Sequence, residues 1–226
     1  ATEVLRLRIN AGLRRIAFFV VPSLVAYLVL GDVIVAALYQ TGDFGPDDTL
    51  WVHAVLAGYA IGLLAATGTR LFSSGFYALH DTRTPARIAL VRVLVGGLLG
   101  ASLMFPLERV TLAGHPLGVV GLSLAAGIAT WVEWAALRRQ LSRRLGPISA
   151  GAPALARMLL SAGLAAAGAR AIGLALPEMH PIGTAAIVLA PYGLAYFGLA
   201  RLFGVEEGGA VLARLFRPVR RGGRRG

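Results

Sequence analysis

Between Thr49 and Leu79 a long apolar stretch carries one charge, Arg70, and the polar run "HDTRTPAR" from His80 to Arg87 follows directly. These residue types can hold an anion, because a guanidinium grips phosphate or carboxylate through paired hydrogen bonds. Ten residues at 1.5 Å each, counted back from His80, put Arg70 roughly 15 Å inside the span, near the middle of a bilayer. An arginine at that depth costs at least about 2.5 kcal/mol unless water or a partner meets it. Two readings stay open. Either the span shifts outward or Arg70 snorkels to the interface, or Arg70 faces a cavity and meets a substrate's negative headgroup.

The polar run itself has a local explanation. Thr84 suits a helix N-cap and Pro85 the first helical position, where the missing N–H removes no hydrogen bond and the preceding residue is held out of the helical region. A helix is therefore expected to start at Pro85, with Asp81 ending the preceding helix or adding a second cap. Arg83 and Arg87 hold the hairpin at a membrane face. The run is then either a basic loop and nothing more, or, with Tyr77, Asp81, Arg83, Thr84 and Pro85, the gate end of a moving helix.

Other chemistry finds little support in the sequence. The four histidines, His53, His80, His115 and His180, have no HExxH spacing and no carboxylate at ligand distance along the chain, and the absence of cysteine removes thiolate sites and disulfides. No paired carboxylates or nucleophile dyad suggest an intramembrane enzyme, and no cofactor or metal is implied. The pairs Gly58/Gly62 and Gly96/Gly100 follow a small-xxx-small pattern that brings helices together. "WVEW", Trp131 to Trp134, reads as an aromatic belt at a membrane interface.

These residues have to be positioned by membrane helices. Of 226 residues 57% are hydrophobic and 15% charged, with a mean hydropathy of +0.71, where a soluble domain carries about 25% charge. Six runs approach or exceed the roughly 20 residues that cross a bilayer: Ile16 to Tyr39, with Asp32 inside and a kink expected at Pro22; Thr49 to Leu79; Ile88 to Leu107; Val110 to Val132; Met158 to Pro177, with Arg170; and Ile182 to Ala200. Their length and continuity fit helices and not barrel strands. The fold class expected is all-α, a polytopic integral membrane protein with six transmembrane helices.

The basic residues set an orientation. All 22 are arginines and the net charge is +11; they fall before the first span, in the even-numbered loops and in the tail, leaving only Arg109 and Arg170 on the other side. Both termini are therefore expected in the cytoplasm. Short arginine clusters between apolar runs are the pattern of loops at a membrane surface, which argues against a nucleic-acid partner.

A family resemblance enters on four stretches in order. "GLRRIAFFVVPS" (Gly12 to Ser23), "LYQTGDF" (Leu38 to Phe44), "GFYALHDTRTPARIALVRV" (Gly75 to Val93) and "GVVGLSLAAGIATWVEWAALRRQL" (Gly118 to Leu141) resemble the MurJ (MviN) lipid II flippases of the multidrug/oligosaccharidyl-lipid/polysaccharide exporter superfamily. The resemblance implies a fourteen-helix fold of which these spans are the last six. Residues 1–144 would belong to the second lobe, 145–204 would be two extra C-terminal helices, and 205–226 a basic cytoplasmic tail. The start at Ala1, inside the amphipathic "EVLRLRINAGLRRI", agrees with a missing N-terminal half.

By the same resemblance the chain would be part of a lipid-linked peptidoglycan precursor flippase of the bacterial inner membrane. Its partners would be lipid II or a related polyprenyl-pyrophosphate-linked sugar and the membrane lipids. Alternating access would move the headgroup through a central cavity while the tail stays in lipid. The N-lobe arginines thought to bind the pyrophosphate have no counterpart here. The third span, "VLVGGLLGASLMFPL", lacks the amide and carboxylate of the ion site of some members, so sodium coupling is unsupported. The Ala- and Gly-rich fifth span suggests a shallow groove for the lipid tail at Ala165 and Ala166. The alternatives are another polysaccharide-lipid flippase or a drug antiporter of the same superfamily, or a non-transporting membrane scaffold.

Overall fold

The computed structural model describes residues 2–177, 179–205 and 207, and in them six helical stretches are long and apolar enough to cross a membrane. The first is α1 (Thr2–Val29), after which comes the short α2 (Gly31–Tyr39), and the second is α3 (Pro46–Ile61) followed by α4 (Leu63–Ala78). Then come α5 (Arg83–Leu107), a small hairpin of β1 (Thr111–Leu112) and β2 (His115–Pro116), α6 (Gly118–Leu145), α7 (Ala152–Ala175) and α8 (Pro181–Leu202). The helix ends near Ala78, Arg83, Leu145, Ala152 and Leu202 form the basic end of the bundle. Of the expected tail at 205–226, positions 206 and 208–226 lie outside the described residues.

Both early stretches are interrupted, the first at Leu30 beside Gly31 and the second at Gly62. The helix continues through Pro22, where a kink was expected, and breaks at Leu30, just before Gly31. Pro22 has no N–H to give to Phe18, four residues earlier, and the freed Phe18 carbonyl accepts from the Tyr196 hydroxyl at 2.7 Å. Tyr192 donates to the Pro22 carbonyl at 2.6 Å. At the break itself His53 Nε2 lies 3.1 Å from the Tyr27 carbonyl, so that nitrogen carries the proton. The imidazole fills the space a side chain at Gly31 would need, since a Cβ there would lie 2.3 Å from it.

The second break, at Gly62, lies against α6. A Cβ on Gly62 would come within 2.8 Å of Gly127 Cα, and one on Gly58 within 2.1 Å of Ser123 Oγ, so the small-xxx-small pair does bring two backbones together. The interruption frees the Ile61 carbonyl, and the Trp131 indole N–H donates to it at 2.8 Å. In an apolar surrounding a freed carbonyl without a donor would cost a few kcal/mol. Trp131 and Trp134 thus serve helix–helix contacts, Trp134 packing on Phe72.

The fourth span begins later than its hydropathy indicated. From Thr111 to Pro116 the chain forms an antiparallel hairpin pairing Thr111 with Pro116 and Leu112 with His115. Ala113 (φ 51°) and Gly114 (φ 80°) turn it in the left-handed region. The Trp51 indole donates to the Pro116 carbonyl at 2.9 Å and His115 Nε2 meets Asp48 Oδ1 at 3.0 Å, fastening the hairpin to the first two turns of α3.

Two buried cores organise the bundle and α1 contributes to both. Phe18 and Val21 join Met158, Val188 and Tyr196 in a core between α1, α7 and α8. Ile9 and Leu13 join Phe72, Phe76, Leu137 and Leu141 between α1, α4 and α6. The α7–α8 hairpin is therefore held to residues 1–144 by a continuous apolar core. Helix α5 is the exception: only Pro85 and Gly100 are buried in it, and Leu90, Val93, Leu94, Leu98 and Phe105 are exposed.

Candidate functional site

Helix α4 buries Ala65, Gly68, Thr69, Phe72, Gly75 and Phe76 on one side. That leaves Arg70, Ser74 and Tyr77 exposed, at i, i+4 and i+7, one above the other on the opposite face. Arg70 lies eight residues from the end of α4, about 12 Å along the axis. Among the described residues no carboxylate comes within salt-bridge distance of it. Ser74 spends its hydroxyl hydrogen on the Leu71 carbonyl at 2.7 Å. The stripe therefore offers one free guanidinium and one phenol, a pair suited to an anionic oxygen.

Below the stripe, the loop between α4 and α5 is built differently from the sequence expectation. The helix starts at Arg83 and not at Pro85, and the capping group is Asp81 and not Thr84. Asp81 Oδ1 accepts the Thr84 N–H at 2.9 Å and Oδ2 the Thr84 hydroxyl at 2.7 Å. The carboxylate is the better acceptor, so the Thr84 hydroxyl becomes a donor to it. Pro85 sits buried within the first turn. Arg83 is exposed and forms no ion pair among the described residues.

The partner that sequence reasoning missed is Arg144, at the far end of α6. Its Nη2 lies 2.7 Å from Asp81 Oδ2, and its guanidinium lies over the Phe76 ring at 5.4 Å. The two Thr84 hydrogen bonds, with the Arg144 charge, hold the Asp81 carboxyl at about 2, below its ordinary 3.8. Asp81 therefore joins three helix ends: it caps α5, follows α4 and pairs with α6.

Two further ion pairs lie within the spans. Arg92 Nε is 3.2 Å from Glu133 Oε2, linking α5 to α6. Arg170 Nη1 is 2.5 Å from Asp32 Oδ2, linking α7 to α2. Their signal was present in the sequence: Asp32 and Arg170 are each the lone charge of an apolar run, of opposite sign, and lone intramembrane charges seek each other. The pairing itself requires knowing that α2 and α7 meet.

Ala165 and Ala166 do not form a groove. They are 3% and 1% exposed, inside the core that α7 shares with α1 and α8, so the surface expected there for a lipid tail does not exist. The Ala-rich face of α7 is small because a neighbouring helix sits on it.

Six long apolar helical stretches, with backbone carbonyls freed along them met by tyrosine and tryptophan side chains of neighbouring helices, define a polytopic α-helical membrane protein. The chain belongs to the lipid II flippase MurJ family, whose model matches residues 2–195. It is 32% identical over 222 residues to the "Probable lipid II flippase MurJ" of Rhizobium meliloti (strain 1021), covering 94% of this chain and 39% of that protein. It is 34% identical over 121 residues to the protein of that name from Helicobacter pylori (strain J99 / ATCC 700824), covering 52% of this chain and 24% of that one. A solved structure titled "Lipid II flippase MurJ, inward closed conformation" shares the fold with a TM-score of 0.67 at 20% identity, covering 88% of this chain and 39% of that one. The chain thus spans about two fifths or less of the length of these proteins.

Proposed function

We propose that this chain is the C-terminal part of a flippase for lipid II, or for a related polyprenyl-pyrophosphate-linked sugar, in bacterial cell-wall biogenesis. The observation that carries the reading is the family match across residues 2–195. The transporter works by alternating access in the inner membrane, two lobes rocking about a central cavity. Both termini and the basic end of the bundle face the cytoplasm, as the arginine distribution supports.

In this reading the exposed stripe of α4 faces the cavity and Arg70 meets the pyrophosphate. A free guanidinium inside the span is supported by an anion or by water, and a pyrophosphate offers the oxygens its planar fork takes in pairs. Asp81, with Thr84 and Arg144, keeps the cytoplasmic ends of α4, α5 and α6 together while the lobe moves.

The test uses the full-length protein in cells depleted of their own flippase. Arg70→Ala is expected to abolish or strongly reduce lipid II translocation at normal expression and insertion, with Arg70→Lys intermediate because it keeps the charge without the fork. Wild-type translocation by Arg70→Ala would remove Arg70 from the substrate path. For orientation, Asp47→Cys should be labelled by impermeant reagent from outside intact cells, and labelling only after lysis would reverse the topology.

A further inference from the structure

A second basic site lies at the cytoplasmic end of the bundle, away from the α4 stripe. We infer that the crevice between α6 and the loop preceding α7 binds the phosphate headgroup of an anionic phospholipid of the cytoplasmic leaflet. It has a volume of about 410 Å³ and is lined by Trp134, Arg138, Arg139, Ser142, Pro147 and Ser149 among others, with no carboxylate in the lining. The assignment to a leaflet rests on the orientation proposed above; the binding does not.

The donors are arranged and unspent. Arg138 is fixed at both sides of its guanidinium: Nε donates to the Ile148 carbonyl at 2.9 Å, and the group lies over the Trp134 ring at 5.1 Å. That leaves its two Nη groups without a protein partner among the described residues. Arg139 forms no ion pair among them either. Ser149 Oγ accepts the Gly151 N–H at 3.0 Å and keeps its own hydrogen to donate. The loop that closes the crevice is held in turn by Asn10, whose side chain accepts the Ser149 N–H at 3.1 Å.

Depth favours a lipid over a soluble anion. Arg138 is seven residues from the end of α6, about 10 Å along the axis, and shares a small cavity with Leu155 in the first turns of α7. This is the level at which a transmembrane helix passes from headgroups into acyl chains, where tryptophan and arginine are both at home. Basic crevices between helices on that side take phosphate headgroups. Pro147 and Ile148 give the wall of the crevice an apolar side along which the glycerol and first methylenes can lie.

The test is lipid retention by the purified full-length protein, read by native mass spectrometry against phosphatidylglycerol and phosphatidylcholine. Wild type should keep phosphatidylglycerol selectively. Arg139→Gln should weaken it about fivefold and Arg138→Gln with Arg139→Gln about 25-fold, at about 1 kcal/mol per arginine near a membrane surface. Arg143→Gln, which removes the same charge one turn away outside the crevice, should change retention by less than about twofold on the same scale. Because Arg138 also holds the loop, Arg139→Gln alone decides if the double variant misfolds. Equal retention of both lipids, or an equal loss in Arg143→Gln, would overturn the site in favour of diffuse attraction. Displacement of the lipid by millimolar inorganic phosphate would overturn the lipid in favour of a soluble anion. None of these readouts depends on flipping, so a failed transport assay leaves the result standing.

Discussion

Where α7 and α8 meet α1 and α2, polar groups inside the apolar bundle reach partners: Tyr196 serves the carbonyl freed by Pro22, Tyr192 the carbonyl of Pro22 itself, and Arg170 meets one oxygen of Asp32. On the side of α4 and α5 the treatment is reversed. Arg70 is exposed without an ion partner among the described residues, and α5 presents leucines and valines with almost nothing buried. The first side is built as a joint, in which any unmet group would cost more than the contact gains. The second is built as a surface, whose partners must come from outside these helices. Family membership gives that surface a reason, because the relatives are more than twice as long as this chain.

The largest effect should come from breaking the joint at its charges. Arg170→Ala leaves Asp32 unpaired in an apolar surrounding and is expected to destabilise by about 3 kcal/mol, seen as a lower midpoint when the full-length protein is unfolded thermally in detergent. The exchange Asp32→Arg with Arg170→Asp should recover part of it. A midpoint unchanged in Arg170→Ala would mean that the pair is not what holds α7 to α2.

Tyr196→Phe tests the same joint without charge. It strands the Phe18 carbonyl with only helix geometry left to serve it, and should lower stability by about 1–2 kcal/mol. Trp131→Phe should do likewise for Ile61 at the break in the second span. If neither variant moves the midpoint, water reaches those carbonyls and the bundle is wetter than its packing indicates.

Arg70→Leu tests the surface and should separate stability from function. Stability is expected to hold or rise, since no protein partner among the described residues is lost, while translocation falls. A loss of stability comparable with that of Arg170→Ala would show that Arg70 belongs to a joint as well.

The smallest effect concerns pH at the loop end of that surface. Asp81 has a depressed carboxyl in the folded state, so the stability it contributes is fully present above the unfolded value near 3.8 and is lost as pH falls toward about 2. Hydrogen exchange of the amide of Thr84, which Asp81 accepts, should therefore be insensitive to opening between pH 5 and 7 and quicken relative to its intrinsic rate below about pH 3.5. Asp81→Asn should remove the acid step.

Six spans, their helical nature and the resemblance to one family were legible because each is written in local composition: long apolar runs, arginine clusters and a few ordered motifs. The small-xxx-small glycines were legible for the same reason. The breaks at Leu30 and Gly62 were not, since hydropathy runs straight through them. Nor was the hairpin at 111–116, whose residues are apolar enough to continue a span.

The sequence by itself determined the number of spans, the basic end, the presence of a lone arginine in the second apolar run and the family. Only the tertiary structure decided which charges are paired. Asp32 and Arg170 stand 138 residues apart, too far along the chain for any local motif to join them, and Asp81 finds Arg144 across two helices. It also decided that Ala165 and Ala166 are packing and not a groove, because small residues mark close approach equally whether the neighbour is a lipid or a helix. The physical reason is common to all of these. In an apolar solvent a polar or small residue gains its meaning from what lies beside it, and neighbours are set by how the helices pack.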